Sequence, residues 1–198
     1  MKTFKFGCSL LLSSYFLTKL NTSNLIKYPV KCANQDNIAK AALCILHPNN
    51  SNSSGVVLFK QENFDSPVVI HGKFKGLKNN SNHGFHIHQW GDLSDGCTTA
   101  GPHYNPTNQT HGGPDLQERH IGDLGNIQSD SEGNGVYKRE DSKISLMGIY
   151  SIVGRSCVVH ADEDDLGKGK FEDSKTTGHS GARIACGVIA LCDPNKQI

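Results

Sequence analysis

The chain carries short apolar runs separated by polar turns, which is the pattern of an antiparallel β protein. The runs cover residues 42–46, 55–59, 67–74, 84–90, 135–137, 144–146, 156–160 and 183–189. Short β-prone runs at this spacing, with Asn/Ser and Gly turn signals between them, predict a sandwich or barrel. The sequence shows no amphipathic helix of useful length and no internal repeat. The predicted fold class is therefore all-β.

Two long segments, about 91–121 and 161–182, lack any strand pattern. A compact domain seldom holds loops of this length unless function or cross-links order them. The first segment contains several histidines, and the second is rich in charge and glycine. We therefore expect the chemistry of the protein to lie in these two loops.

The N-terminal segment has the features of a secretory signal. Lys2 and Lys5 are followed by an uncharged, leucine-rich stretch that is short for a membrane span. We predict a signal peptide over 1–20 with cleavage between about 18 and 32, a linker over 21–37, and a single domain over 38–198. A short uncleaved anchor is the alternative. The mature protein is predicted to be secreted, with no membrane attachment.

Composition agrees with a secreted β protein. Without residues 1–20 the chain holds 17 basic and 19 acidic residues, and no basic run suggests nucleic acid. Six of the seven cysteines remain, an even number that suits an oxidising compartment. Glycosylation sequons begin at Asn49, Asn52, Asn79 and Asn108.

Histidine spacing predicts a metal centre. His86 and His88 are two residues apart in a β-prone run, so their side chains share one face of a strand. With His160 they offer imidazoles of the kind that suits copper. A four-ligand set suitable for zinc comes from His103, His111, His120 and Asp123. Seven residues for eight ligand places predict two adjacent metals that share one imidazole, which the spacing alone does not identify.

Several strings of residues resemble the copper/zinc superoxide dismutases in order and spacing. They are GFHIHQWGD, AGPHYNP, HGGP, ERHIGDLGN, GRSCVVHADEDDLGKG and SGARIACGVIA, and the resemblance covers about residues 39–191. It implies an eight-stranded Greek-key β-barrel with two long functional loops. It also implies copper at His86, His88, His103 and His160, and zinc at His103, His111, His120 and Asp123. His103 is then the shared ligand.

The resemblance implies further roles. Asp164 would link a copper histidine to a zinc histidine, Cys97 and Cys186 would form a disulfide, and Arg183 would hold the superoxide anion. The implied activity is the conversion of superoxide to oxygen and peroxide by alternating copper reduction and reoxidation, with His103 carrying a proton. The family usually dimerises, so a homodimer is expected. Lys175 stands one place before the family's guiding lysine, where this chain has Thr176.

Two other functions compete with this one. A non-catalytic copper/zinc-binding module would lack a ligand or the guiding arginine, and a zinc hydrolase would need an open zinc position. The remaining candidates have structural interpretations. His47, His71 and His179 are expected at the surface, and His83 is expected to pack or hydrogen-bond. Cys44 and Cys157 are predicted to be buried thiols rather than a disulfide, whereas Cys32 and Cys192 could bridge each other or another chain.

Overall fold

A computed structural model describes residues 41–198 and contains nine β-strands with one short 3-10 helix at Thr98–Ala100. The strands are β1 (Ala41–Pro48), β2 (Ser54–Lys60), β3 (Val68–Lys75), β4 (Asn82–His88), β5 (Ser94–Cys97), β6 (Asp123–Gln128), β7 (Gly135–Asp141), β8 (Ser156–His160) and β9 (Arg183–Leu191). Among these residues no helix is long and apolar enough to cross a bilayer. The predicted signal peptide and linker lie outside the described residues.

Eight strands form one antiparallel sheet in the order β6-β4-β8-β9-β1-β2-β3-β7. The two edge strands β6 and β7 are consecutive in the chain, and the Tyr137 hydroxyl donates to the Leu124 carbonyl across them at 2.7 Å. The sheet therefore curls into a nearly closed barrel. This confirms the all-β class and the eight-stranded barrel predicted from the sequence.

Alternating side chains fill the barrel. In β3 the residues Val68, Ile70 and Phe74 are buried, whereas Lys73 and Lys75 between and beside them face solvent. Phe85 of β4 makes edge-to-face contacts with Phe74 and Tyr137, with ring centroids 5.5 and 5.2 Å apart. Aromatic pairs of this geometry stabilise a core beyond the area they bury. The core thus joins β3, β4 and β7 across the barrel.

The run 144–146 was predicted as a strand, and this was wrong. Ile144 and Leu146 are buried as a strand pattern suggests, but only Ser145 makes an isolated bridge, to Ser151. Backbone groups here bond to side chains instead: Leu146 N donates to Gln61 Oε1 at 2.8 Å. Because side chains satisfy several of these backbone N–H groups, the segment needs no neighbouring strand.

The first long loop is less irregular than the sequence indicated. It contains the four-residue strand β5, which ends at Cys97, and the 3-10 helix, which begins at the next residue. A disulfide joins Cys97 to Cys186 of β9, with Cα atoms 5.7 Å apart, as the family resemblance implied. The second long loop, 161–182, has no strand. Both loops pack over one end of the barrel, beside β4 and β8.

Candidate metal centre

Strands β4 and β8 bring three imidazoles together. His86 and His88 project from the same side of β4, as their spacing predicts. Strand β8 pairs with β4, and a register shift at Val159/His160 ends the regular pairing of β8 with β9 at His160. The Nε2 atoms of His88 and His160 are 3.4 Å apart.

A short stretch of the first loop adds a fourth imidazole. The backbones of His103 and His88 form an isolated antiparallel β-bridge. Gln89 N donates to Pro102 O at 2.9 Å, and Tyr104 N donates to Ile87 O at 2.8 Å. These bonds act as one more strand pairing and place the ring beside the His86 ring, with centroids 4.0 Å apart. One ligand atom from each of four buried residues lies within 4.8 Å of the others: His86, His88, His103 and His160.

A second buried group adjoins the first and shares His103. Its members are His103, His111, His120 and Asp123. Asp123 Oδ1 lies 2.9 to 3.0 Å from the Nδ1 atoms of all three histidines. Its Oδ2 accepts from the backbone N of Gly112 and His120 at 3.1 and 2.8 Å. One oxygen has too few lone pairs for three donors, so a central cation suits this arrangement better than three hydrogen bonds.

Buried nitrogens without partners show that the residues fit metals. His86 Nδ1, His103 Nε2 and His111 Nδ1 are buried and make no hydrogen bond. His111 Nδ1 does lie 3.0 Å from Asp123 Oδ1, but the angle is unsuitable for a hydrogen bond. Leaving buried polar atoms unpaired is costly. Ions that accept these lone pairs would satisfy all three nitrogens.

Asp164 links the two groups. Its Oδ2 accepts from His86 Nε2 at 3.0 Å and its Oδ1 from His111 Nε2 at 2.8 Å. The carboxylate therefore fixes both rings with the opposite nitrogens, the unpartnered Nδ1 atoms, directed at the metal groups. The remaining imidazoles are oriented by backbone oxygens, since His88 Nδ1 contacts Gly101 O at 2.8 Å and His160 Nδ1 contacts Gly181 O at 3.1 Å.

Arg183 lies at the edge of a cleft of about 1000 Å³ that reaches His88, His103 and His160. Its guanidinium donates to Cys97 O at 2.7 Å, to Thr98 O at 3.2 Å and to Gly101 O at 2.7 Å. Three N–H contacts of this kind fix the orientation of the cation. It remains half-buried within reach of a small anion in the cleft.

Comparisons with known proteins agree with this geometry. The family model described as copper/zinc superoxide dismutase matches residues 53–189. A protein of Candida albicans named Superoxide dismutase [Cu-Zn] is 56% identical over 144 residues, covering 72% of this chain and 92% of the relative. Superoxide dismutase [Cu-Zn] 5 of Dictyostelium discoideum is 46% identical over 151 residues, covering 76% of this chain and 97% of that protein. The chain belongs to the copper/zinc superoxide dismutase family.

Membership of the copper/zinc superoxide dismutases decides between the competing functions. The chain is an enzyme that converts superoxide to oxygen and hydrogen peroxide, with copper and zinc as cofactors. The alternative of a metal-binding module without turnover is not supported, since both histidine groups are complete and Arg183 faces the same cleft.

Electrostatics of the superoxide dismutase site favour metal binding at neutral pH. Burial lowers the pKa of His86 to about 4 and that of His103 and His160 to about 3, because the charged imidazolium loses its hydration. Burial also lowers the pKa of His88 well below its usual value. These imidazoles are therefore neutral, and their lone pairs are available to a metal ion.

In the second histidine group of the superoxide dismutase site, the two carboxylates shift the pKa of His111 in the opposite direction. Burial lowers the pKa of His111, but contacts with Asp123 and Asp164 outweigh burial and raise it to about 9. Burial raises the pKa of each carboxyl, and the surrounding imidazoles reverse that effect and hold both pKa values below the usual range. A zinc ion would replace the His111 proton as the charge facing the carboxylates.

Other histidines and cysteines behave as the sequence suggested. His47 and His179 are exposed and His71 is partly exposed. His83 is buried, with Nδ1 2.9 Å from His160 O. Cys44 and Cys157 are buried free thiols. Cys192 has no disulfide partner within 41–198, and Cys32 lies outside the described residues.

The second loop supplies the cleft rim. Lys175 is exposed and lines the cleft together with Asp173, Thr176 and Thr177, whereas Glu172 lines a separate surface pocket. His179 stacks on Phe171 with ring centroids 3.7 Å apart, and its Nδ1 contacts Asp173 Oδ1 at 2.7 Å. The displaced lysine of this chain therefore still faces the cleft.

Sequence reasoning missed three residues that hold the site. Asn126 both donates to Asp164 O and accepts from Asp164 N, each at 2.8 Å. Buried Arg119 pairs with Asp141 and donates to Asp123 O at 2.9 Å. Asn49 contacts the backbones of both Arg183 and Cys97. An arginine in the ERHIGD string was visible, but nothing local indicated its partner.

We expect the metal-free protein to lose stability as pH falls from 6.5 toward 4. In that range the unfolded chain protonates its histidines, whereas folded His86, His103 and His160 stay neutral. The unfolded state binds more protons, so each group lowers the free energy of unfolding by up to about 1.4 kcal/mol per pH unit. Urea unfolding of metal-free protein at several pH values measures the slope.

The variant that tests this pH profile is His160→Gln, which removes one titrating group. Its slope between pH 6.5 and 4.5 should be shallower than that of the unmodified chain. A flat profile, or a slope that His160→Gln does not alter, would contradict the assignment of neutral buried imidazoles.

Proposed function

We propose that the first histidine group binds copper and the second binds zinc. The copper ligand atoms are His86 Nδ1, His88 Nε2, His103 Nε2 and His160 Nε2. The zinc ligand atoms are His103 Nδ1, His111 Nδ1, His120 Nδ1 and Asp123 Oδ1. The shared ring of His103 carries the proposal: its Nδ1 lies 2.9 Å from Asp123 Oδ1, and its buried Nε2 has no partner.

Bound copper supplies one-electron redox chemistry at this site. Arg183 attracts superoxide and orients it, because a guanidinium remains charged and donates hydrogen bonds to small anions. Disproportionation of two superoxide ions consumes two protons. His103 Nε2 could hold one of them when it is not acting as a ligand, because Nδ1, on the side of Asp123, would still fix the ring, and solvent would supply the other.

His160→Ala tests the ligand assignment. Since His160 belongs only to the copper group, the variant should lose copper and superoxide consumption while keeping zinc. Metal analysis is read beside a superoxide-consumption assay. His47→Ala, which removes an exposed imidazole, should change neither. Wild-type turnover in a His160→Ala protein that contains both metals would rule out this assignment.

Arg183→Ile tests the anion guide. Loss of the guanidinium should reduce the second-order rate ten- to a hundredfold, or roughly 1.4–2.7 kcal/mol, with both metals still bound. The rate of the unmodified enzyme should fall as salt rises, because screening acts beyond about 8–10 Å. The variant should depend less on salt.

The control for Arg183→Ile is Lys73→Ile, which removes one positive charge from an exposed position on β3. It should leave the rate nearly unchanged. If Arg183→Ile keeps its full rate, or loses rate only in proportion to lost copper or lowered melting temperature, then Arg183 is not the guide. Lys175 at the rim is proposed to add to the positive potential of the same cleft.

We also propose that the enzyme is a secreted protein. Support comes from the apolar, charge-free stretch after Lys2 and Lys5 and from the sequons. The Cys97–Cys186 disulfide fits an oxidising compartment. Asn52, Asn79 and Asn108 are exposed, so their side chains are accessible for glycans.

A homodimer is proposed through the outer face of β1 and β9. Ile45, Val188 and Leu191 are 54%, 40% and 58% exposed, and with Leu43 and Leu93 they line a shallow apolar groove. Outward positions on β3 include the charged residues Lys73 and Lys75, and its one exposed apolar residue, Val69, has no apolar neighbours of this number. An apolar outward face on paired strands is typical of a contact between subunits.

Leu191→Glu should convert the dimer to a monomer, because the contact would bury a carboxylate. Sedimentation velocity over a range of concentrations measures the oligomeric state. Val136→Glu is the matched control, since Val136 is also exposed but lies on the edge strand β7. A dimer that survives Leu191→Glu would place the interface elsewhere.

A further inference from the structure

Asn49 lies between the two chain segments that the disulfide joins. Its Nδ2 donates to Arg183 O at 2.8 Å, and its backbone N donates to Ile184 O at 2.8 Å. Its Oδ1 accepts from Cys97 N at 3.4 Å. One side-chain amide therefore connects the first residue of β9 with the last residue of β5.

The contacts of Asn49 and Arg183 meet at the same residue. Asn49 holds Cys97 through its N–H, and the Arg183 guanidinium holds it through its carbonyl oxygen at 2.7 Å. The space is confined, because a Cβ added to Gly96 would lie 2.4 Å from Asn49 Oδ1. Gly96 also has a positive φ of 57°. The backbone and the guanidinium of Arg183 are thus both held relative to Cys97: the guanidinium directly, and the backbone through the side chain of Asn49, which is 134 residues from Arg183 in sequence.

We propose that Asn49 is a positioning residue for Arg183, a non-covalent tie parallel to the Cys97–Cys186 disulfide. The inference rests on the proposed role of Arg183 as the anion guide. The disulfide fixes Cys186, three residues beyond Arg183, and does not by itself fix the Arg183 backbone relative to Cys97. The amide of Asn49 removes that freedom at Arg183 itself.

The contacts of Asn49 also distinguish two consecutive sequons, at 49–51 and 52–54. The sequon at Asn49 would place a glycan on Nδ2, the atom that donates to Arg183 O, in a part-buried position. Asn52 begins the next sequon and is exposed. In active enzyme made through a secretory route, Asn49 is therefore unmodified, whereas Asn52 is open to modification.

A double-mutant cycle tests the proposal. Asn49→Ala should lower the second-order rate of superoxide consumption about three- to tenfold at full metal content, the size expected for one or two lost hydrogen bonds. In the Arg183→Ile background, Asn49→Ala should have no further effect on the rate. Non-additivity of this kind shows that Asn49 acts through Arg183, whereas a general structural role would be additive.

Asn49→Asp is the second variant and covers the case in which Asn49→Ala fails to fold. It keeps the shape and the acceptor for Cys97 N, but it places a carboxylate against Arg183 O. Asn52→Ala and Asn52→Asp are the matched controls, since they make the same changes at an exposed neighbour. Asn49→Asp should be slower than Asn52→Asp, and equal rates would overturn the proposal.

A readout independent of turnover is the reduction of the disulfide by dithiothreitol in metal-free protein. Asn49→Ala should speed this reaction several-fold relative to Asn52→Ala, because the Cys97 segment loses a contact. Additive effects in the cycle, unchanged reduction, or a glycan on Asn49 in the fully active fraction would each overturn the proposal. If Arg183→Ile alone keeps full activity, the proposed guide fails instead, and the reduction rates still report on the tie.

Discussion

The imidazole of His103 is the contact on which the rest of the site depends. It belongs to both ligand groups, and its backbone is paired to β4 as though it were another strand. The long loop that carries it has little regular structure of its own. Two backbone bonds to Gln89 and Ile87 at one end, and Asp123 at the start of β6, therefore set where the whole loop lies.

Two buried carboxylates hold the two histidine groups in a fixed position relative to each other. Asp123 and Asp164 are almost fully buried, and an isolated buried carboxylate would be strongly destabilising. Each is surrounded by imidazoles and backbone N–H groups that favour its charged form. The same contacts select which nitrogen of each ring faces a metal. The same contacts therefore both stabilise the charged carboxylates and orient the imidazole rings. Removing either carboxylate would disturb both histidine groups.

The sequence alone predicted the strands and the types of ligand residue better than it predicted the contacts that support them. The barrel strands were visible as short apolar runs between polar turns, and His86 and His88 share a face by spacing alone. Strand β6 was not singled out, since Leu124 and Ile127 are its only large apolar residues. The run at 144–146 had the pattern of a strand, but the N–H of Leu146 is bonded by Gln61, 85 residues away. Asn49 and Asn126 act through partners 134 and 38 residues away, and no local pattern encodes such pairs.

The Cys97–Cys186 disulfide lies close to Arg183 and bears on both the stability of the fold and the orientation of the guanidinium. A disulfide that closes a loop of this length restricts the unfolded chain by about 4–5 kcal/mol in the entropy model. That effect stabilises the fold but does not by itself orient a guanidinium. Orientation comes from three carbonyl oxygens in 97–101, and those oxygens are in place only while the segment is held against β9. Burial lowers the pKa of Arg183, yet a guanidinium starts so high that it stays charged. In a half-buried cleft its field is screened less than in water, so a single well-held cation can attract a small anion even though the formal net charge of the sequence is only +1.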